Sequence, residues 1–304
     1  MTRFESYEAL CRAQIPNAAA WRILLGTLIV IALWVTGSVI LLVGLELLGI
    51  RVLSPNGFAL GEPLPIVLFL LSFVVVHLAL VLVVLLFHRG HIGWILSLRA
   101  PWPVRHVPVG AAVVGVIFTV ALALTWGIMP PEAQLAPSTW IIWVVPTLLA
   151  LVIQCSAEEA FFRGYLQGIL AARFRTFWVW LVLPAALFGA AHYNAGSYPG
   201  NDGLIALSAA LMGLVVGDVT ARTGSILAAI GVHLGNNAIG VLLVATPGPL
   251  DGLALARAAI DPSDTETMRL AILLNIAMIV AGYIGWRIWI ARQPGLPMDD
   301  DVFK

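Results

Sequence analysis

The chain has 304 residues, of which 61% are hydrophobic and 11% are charged, and its mean hydropathy is +0.98. Soluble domains carry about 25% charged residues, so this composition excludes a water-soluble globular protein and predicts an integral membrane protein with many helical spans. The formal net charge is zero, and nothing in it indicates a nucleic-acid partner.

The order of polar and apolar segments along the chain suggests one membrane domain between two short tails. Residues 1–20 are polar and mixed in charge, and we expect them to form a cytoplasmic N-terminal tail. The apolar run from Trp21 to Ile50 is too long for a signal-peptide core, so it is interpreted as a retained first span. Residues 21–292 are predicted to form the membrane domain and 293–304 a cytoplasmic C-terminal tail. The expected fold class is an all-α polytopic membrane helix bundle.

Long apolar runs, separated by Pro, Gly and charged residues, predict about eight transmembrane helices. Their approximate bounds are 22–48, 65–87, 108–129, 140–170, 177–195, 203–220, 224–246 and 268–290. The sequence contains neither an internal repeat nor a low-complexity segment.

The connections between these spans alternate in charge. One set contains Arg89, Arg99, Arg105, Arg173, Arg175 and Arg222, whereas the other contains Glu132, Asp202, Asp251, Asp261, Asp264 and Glu266 against Arg257. The positive-inside rule places the arginine-rich set in the cytoplasm. An even number of spans then puts both termini there, and in a prokaryote the membrane would be the plasma membrane.

Ionisable residues inside membrane spans usually face the bundle interior and have functional roles, but several here have simpler explanations. Glu46 lies near the outer end of its span and reaches water, while His77 stands alone and is interpreted as a packing residue. Asp218 and Arg222 have the i, i+4 spacing of a structural ion pair. Cys155 is interpreted as a small buried hydrophobe, since no neighbouring residue predicts an activated thiol.

The segment EEAFFR, residues 158–163, follows one of the most apolar runs of the chain. Glu159 and Arg163 lie four residues apart and can form a pair on one helix face. Glu158 is rotated from Glu159 by about 100° and has no local partner. Because desolvation favours the protonated form of a carboxylate, a partly buried Glu158 would suit a general base.

Two further motifs place polar residues one helical turn apart. FGAAH contains Phe188 and His192 in the fifth predicted span, and HLGNN contains His233 and Asn237 in the seventh. A histidine and an amide on one helix face could donate hydrogen bonds to an oxyanion. The simpler interpretation is a pair that only holds neighbouring helices together.

Helical rise brings these motifs to similar depths. Glu158 and His192 lie roughly 24 Å and roughly 26 Å from the turn between the fourth and fifth spans, so they are level. His233 lies only roughly 14 Å from the cytoplasmic side, a mismatch that disappears if the end of the fourth span projects from the bilayer. We expect Glu158, His192, His233 and Asn237 to converge on one cavity that opens to the cytoplasmic side.

The three motifs resemble those of the CAAX protease and bacteriocin-processing family, also called the Abi family, which includes the type II CAAX prenyl endopeptidases. Its pattern is E-E-x-x-x-R, then F-x-x-x-H, then H-x-x-x-N or D, and this chain has all three in that order between about 140 and 246. The resemblance implies an intramembrane, glutamate-dependent endopeptidase. Its substrate would be a membrane-associated or lipidated protein or peptide in the lipid bilayer.

The resemblance also implies roles for the motif residues. By position, Glu158 would activate water with the help of His192, and His233 together with Asn237 would stabilise the oxyanion. Residues that would order the site are Glu159, Arg163 and Phe188. The family's members include immunity or regulatory proteins, so the same motifs are also compatible with a non-catalytic scaffold.

A zinc enzyme and a transporter would use the same polar residues differently. Glu158, His192 and His233 could form a zinc site with an open position for water. However, the chain has no H-E-x-x-H segment, and the resemblance favours catalysis without a cofactor. An ion-coupled transporter could use the polar cluster as a relay, but such proteins commonly show inverted repeats.

Overall fold

The structure is a computed structural model that describes residues 3–54, 57–58, 62–99, 103–126, 130–196, 198–248, 250–261 and 263–292. Within these ranges almost all of the regular structure is helical, which confirms the all-α bundle. The α-helices are α1 (Arg3–Gln14), α2 (Ala20–Leu47), α3 (Pro63–Leu71), α4 (Val74–Val83), α5 (Gly93–Leu96), α6 (His106–Thr125), α7 (Pro137–Glu159), α8 (Gly168–Arg173), α9 (Leu183–Ala191), α10 (Asp202–Thr223), α11 (Leu227–Ala238) and α12 (Thr265–Ile290).

Wider π-helical turns and short strands complete the described part of the fold. The π segments are π1 (Val84–His88), π2 (Ala160–Gln167), π3 (Trp178–Val182) and π4 (Ile239–Leu243), and Asp251–Leu253 is a 3-10 turn. The strands are β1 (Leu53–Ser54), β2 (Gly57–Phe58), β3 (Glu132–Ala133), β4 (Val244–Ala245) and β5 (Ala256–Arg257). The order β3-β5-β4 forms one small sheet, antiparallel at β3–β5 and parallel at β4–β5.

Six helical stretches in the described ranges are long and apolar enough to cross a membrane: Ala20–Leu47, Pro63–His88, His106–Leu124, Pro137–Arg173, Asp202–Thr223 and Thr265–Ile290. The fifth and seventh predicted spans are also helices, but they are shorter: Trp178–Ala191 and Leu227–Leu243. At 1.5 Å per residue they measure about 21 Å and about 26 Å, less than the hydrocarbon core of about 30 Å. Six predicted spans are therefore long enough to cross the bilayer, and the two short helices carry or adjoin the histidine motifs.

The outer surface of the bundle is apolar. Leu24, Ile40 and Ile142 are 64%, 72% and 68% exposed, and many other large apolar side chains on the long helices are also exposed. Contiguous apolar surface of this kind is stable only against another apolar phase. The chain is therefore a multi-pass membrane protein.

Hydrogen bonds define two opposite ends of the bundle. At the first, here called the arginine-rich end, the Gln14 side chain donates to the Leu98 carbonyl (2.5 Å) and the Leu98 amide donates to the Gly224 carbonyl (2.8 Å). Eleven arginines lie at this end: Arg3, Arg12, Arg22, Arg89, Arg99, Arg105, Arg173, Arg175, Arg222, Arg287 and Arg292.

The opposite end is here called the acidic end. The Tyr198 hydroxyl donates to the Pro247 carbonyl (3.1 Å), and the Asn201 side chain donates to the Thr265 carbonyl (2.9 Å). The sheet β3-β5-β4 lies at this end. Its charged residues in the described ranges are Glu46, Glu62, Glu132, Asp202, Asp251, Asp261, Asp264 and Glu266, against Arg51, Arg257 and Arg269.

Helix α11 packs unusually closely against α6. A Cβ added to Gly235 would lie 2.6 Å from the Ala111 carbonyl oxygen, and one added to Gly110 would lie 3.0 Å from the Ala228 carbonyl oxygen. Small residues allow helices in membranes to approach to this distance. The contact fixes the position of α11, and hence of His233 within it.

Candidate active site

A buried network of charged groups lies where α7 continues into π2. Glu159 is fully buried, and its Oε1 atom accepts a hydrogen bond from Nη1 of Arg163 (3.3 Å). The same oxygen accepts from Nδ1–H of His233 (2.8 Å) on α11. The predicted i, i+4 pair therefore forms, and Glu159 also binds a histidine from another helix.

The π segment places Arg163 inside the protein. All eight residues of π2 are buried, and Arg163 is only 1% exposed. Its guanidinium lies over the Phe188 ring, 4.4 Å from the centroid. A Cβ added to Gly213 would lie 3.1 Å from Nη2 of Arg163. π-helical turns often occur at functional sites, where they redirect side chains.

Glu158 is not part of the Glu159–Arg163 pair, and its side chain lines a cavity. Its side chain is 7% exposed, and its Oε2 atom lies 3.7 Å from Nε2 of His233. Within the described part of the chain, that oxygen has no hydrogen-bond partner. Glu158 is therefore a nearly buried carboxylate that lines the cavity and has one oxygen without a hydrogen bond among the described residues.

His192 lies at the end of α9, and its tautomer follows from one contact. Its Nδ1–H donates to the Phe188 carbonyl oxygen (2.8 Å), because a carbonyl can only accept. In the neutral ring this leaves Nε2 as an acceptor, on a side chain that is exposed. The Phe188 ring lies 4.5 Å from the His192 ring and 6.0 Å from the His233 ring, so it contacts both histidines.

Asn237 is held by neighbours that the motifs do not include. Its Nδ2 donates to Oε1 of Gln154 (3.2 Å) and lies 3.6 Å from Sγ of Cys155, while its Oδ1 accepts from the Asn236 side chain (3.1 Å). Gln154 precedes Glu158 by four residues, on the same helix face. Gln154 is a polar residue one turn before EEAFFR in an otherwise apolar run, and this signal could have identified it as part of the site.

Glu158, His192, His233 and Asn237 line one cavity of about 610 Å³. Most of its wall is apolar, as at Phe73 and Met212. A second polar pair on the wall joins the Ser208 hydroxyl to Oδ1 of Asn275 (3.2 Å). The polar lining residues are Gln154, Glu158, His192, Tyr198, Ser208, His233, Asn236, Asn237, Thr246 and Asn275.

Comparison with protein families gives a match that includes this site. Residues 139–239, about a third of the chain, match the family model described as "Type II CAAX prenyl endopeptidase Rce1-like". Residues 139–239 are a CAAX protease family domain. No curated protein matched the chain. At the level of the family, the CAAX protease domain supports an intramembrane protease.

Four other polar residues in the spans have contacts away from the site, and the predicted pair of Asp218 and Arg222 is confirmed. Asp218 and Arg222 form an ion pair (2.6 Å), and Asp218 also accepts from the Tyr283 hydroxyl. His77 contacts the Ser156 hydroxyl (3.1 Å), and Glu46 accepts from the Val52 amide (2.8 Å). None of these four groups lines the cavity described above.

The cavity extends toward the end of the bundle opposite to the one that the sequence analysis expected. Its lining includes Tyr198, Thr246 and Leu250, from connections at the acidic end, and no residue from the described connections at the arginine-rich end. The described lining therefore reaches the acidic end, and not the arginine-rich end that the positive-inside rule assigns to the cytoplasm. Distances along helices carry no information on which end of a bundle remains open.

Potential metal ligands do not form a cluster in the part of the chain that the structure describes. No three His, Cys, Asp or Glu side chains there are placed so that they could hold a metal ion. The proposed zinc set of Glu158, His192 and His233 therefore does not form such a group in this arrangement.

Proposed function

We propose that the chain is an intramembrane endopeptidase that hydrolyses a peptide bond of a membrane-associated or lipidated protein or peptide, with Glu158 as the base that activates water. The observation that carries this proposal is the unpartnered Oε2 atom of Glu158, nearly buried and facing a cavity shared with two histidines. A buried carboxylate without a partner lowers stability, so its presence in a membrane helix supports a chemical role.

In the first step Glu158 takes a proton from water, and the water oxygen attacks the carbonyl carbon of the scissile bond. His192 helps to position the water through Nε2, because its Nδ1–H is held by the Phe188 carbonyl. The tetrahedral intermediate then collapses, the C–N bond breaks, and Glu158 returns the proton to the leaving nitrogen. The products are a carboxylic acid and an amine, and Glu158 is again a carboxylate.

His233 and Asn237 are proposed to stabilise the oxyanion of the intermediate. Since Nδ1–H of His233 is bound to Glu159, His233 must also carry a proton on Nε2 to donate to the oxyanion. Nε2 lies 3.7 Å from Oε2 of Glu158, beyond hydrogen-bond distance, so its proton can be donated to the oxyanion. Asn237 would exchange its long contact with the Cys155 sulfur for the oxyanion.

The proposal includes catalysis without a metal, since Glu158 supplies the base and His233 with Asn237 the oxyanion donors. Activity in metal-free buffer should survive a chelator, and added zinc should not increase it. Loss of wild-type activity on chelation, with recovery on zinc addition, would contradict this part of the proposal.

The substitution Glu158→Gln tests the base directly. It keeps the shape of the side chain but removes its ability to take a proton, so peptide cleavage should fall by at least about a hundredfold. The melting temperature in detergent should stay near that of the wild type or rise, because Oε2 has no hydrogen bond to lose and an unpaired buried charge is removed. Both quantities are measured on the purified full-length protein.

Glu132→Gln is the matched control, because the Glu132 side chain is 66% exposed at the acidic end and does not line the cavity. It should leave both cleavage and melting temperature unchanged. A folded Glu158→Gln variant that cleaves at the wild-type rate would refute the proposed mechanism. If it also complements a null strain fully, the non-catalytic scaffold is favoured.

A further inference from the structure

The arginines of the chain are distributed unevenly between the two ends of the bundle. Eleven of the fifteen lie at the arginine-rich end, three at the acidic end, and Arg163 is in the site. Short connections rich in arginine remain in the cytoplasm during membrane insertion. The arginine-rich end is therefore assigned to the cytoplasmic side and the acidic end to the opposite side.

The arginine-rich end is closed beneath the site. A Cβ added to Gly164 of π2 would lie 2.5 Å from the Ile95 carbonyl oxygen of α5, and Ser97 forms a backbone bridge with Ser225. The Gln14 side chain of α1 is bonded to the same region, at the Leu98 carbonyl. Among the described residues, this close backbone packing lies between the arginine-rich end and Glu158, and the cavity beside Glu158 is lined by none of these connections.

The acidic end, in contrast, contributes to the cavity wall. Tyr198 and Thr246 come from the two connections at that end, and the Tyr198 hydroxyl joins one connection to the other at the Pro247 carbonyl. Met268 and Ala271 add the adjoining end of α12. The cavity thus runs from the buried charges in the middle of the bundle to the acidic end.

We propose that the active site receives its substrate from the non-cytoplasmic side of the membrane. Its substrates are then polypeptide segments exposed on that side: parts of exported proteins, or the outer juxtamembrane segments of membrane proteins. The proposed side of access rests only on the distribution of arginines between the two ends and on the residues that line the cavity. The substrate class rests in addition on the proposed proteolytic function.

Single cysteines can test the side of access without any activity measurement. Thr246→Cys places a thiol at the cavity mouth, and Thr176→Cys places one at the arginine-rich end; both positions are exposed. The chain is expressed in bacterial spheroplasts, which are treated with a membrane-impermeant maleimide before or after permeabilisation. The wild type provides the background, because its only cysteines, Cys11 and Cys155, are both buried.

Thr246→Cys should be labelled in sealed spheroplasts, whereas Thr176→Cys should be labelled only after permeabilisation. The reverse pattern would overturn the proposal, whether or not the protein is a protease. Labelling of both variants in sealed spheroplasts would also overturn it, because the two ends would then not lie on opposite sides.

The substrate class is tested with sealed membrane vesicles of known orientation and an added peptide substrate of the purified enzyme. Cleavage should occur in vesicles whose non-cytoplasmic face is outward and fall to background in inverted vesicles. It should also be blocked by labelling Thr246→Cys. Cleavage only in inverted vesicles would overturn the proposed side of access, whereas absence of cleavage even by the purified protein would instead count against the protease function.

Discussion

At the scale of single residues, adjacent glutamates have different environments and therefore different expected roles. Glu159 is fully buried and binds both Arg163 and His233, while Glu158 faces the cavity with an unpartnered oxygen. Glu159 is thus a positioning residue that holds His233, and Glu158 is the group available for chemistry. Substitution of each should have a different dominant effect.

Glu159→Gln should destabilise the protein. It leaves the Arg163 guanidinium, 1% exposed, without a negative partner, and breaking a buried pair typically costs about 3 kcal/mol or more. The free energy of unfolding should fall by that amount, and activity should fall together with the amount of folded protein. Unfolding in denaturant and peptide cleavage are measured in parallel.

The matched control is Glu266→Gln, which removes an exposed helical partner of Arg269. Exposed pairs contribute little, so its unfolding curve should match that of the wild type. If Glu159→Gln were as stable as the wild type, and Glu158→Gln were the unstable variant, the two assigned roles would be reversed.

Much of this site was predictable at the residue scale, because spacing along a helix determines which side chains can meet. The pairing of Glu159 with Arg163 followed from the i, i+4 rule. The bond from His233 to Glu159 did not follow, since it depends on the packing of two helices distant in sequence. Gln154 was missed because its role exists only through its contact with Asn237.

At the scale of helices, the position of α11 depends on its glycine contact with α6. Gly235 lies between His233 and Asn237, on a face where an added Cβ would lie 2.6 Å from the Ala111 carbonyl oxygen. The two side chains proposed to bind the oxyanion therefore depend on this contact for their distance from Glu158.

Gly235→Ala should force α11 away from α6. Overpacking of this kind typically costs about 1–3 kcal/mol, so the melting temperature should fall. Activity should fall further than the loss of folded protein explains, because His233 and Asn237 move with the helix. Thermal unfolding and cleavage per folded molecule separate the two effects.

Gly115→Ala is the control on the partner helix, because a Cβ there would meet nothing within 4 Å. Alanine is the better helix former, so this variant should be at least as stable as the wild type. Equal behaviour of the two variants would show that close approach at Gly235 is not what positions α11.

The eight helical segments were predictable from hydropathy, and their exact lengths were not. His233 was predicted to lie closer to the arginine-rich end than Glu158 and His192. The structure explains this difference, because π2 and α8 extend past the 224–226 turn toward that end. Gly164 packs there against Ile95, and Gly168 packs against Ile15. Spacing alone could not predict this, because the elements that cover the projecting end are distant in sequence.

At the scale of the whole molecule, the bundle has one closed end and one open end, and α1 contributes to the closed one. The N-terminal segment predicted as a tail contains this helix, with Tyr7 and Cys11 at 3% and 0% exposure. The Trp180 indole, fully buried, donates its N–H to Oε1 of Glu8 (2.9 Å). This side-chain bond links α1 to π3, beneath the active-site helices.

The docking of α1 can be followed through Cys11. Burial raises the pKa of the Cys11 thiol to about 12. Because the thiolate is the reactive form, Cys11 should be almost inert to alkylation near pH 8 while α1 is docked. Undocking would expose the thiol and return its pKa toward its ordinary value of 9.0, so alkylation would accelerate.

Glu8→Ala should undock α1, because it leaves the buried Trp180 indole N–H without its acceptor, at a cost of about 1–3 kcal/mol. Alkylation of Cys11 at pH 8 should become at least about tenfold faster, as the thiol gains both exposure and thiolate character. Mass spectrometry of the intact protein, with a Cys11→Ser variant to identify the site, gives the rate. Ser6→Ala, at an exposed position of the same helix, should leave that rate unchanged. A Glu8→Ala variant with wild-type alkylation would mean that apolar packing around Tyr7 and Cys11 holds α1 in place without the bond to Trp180.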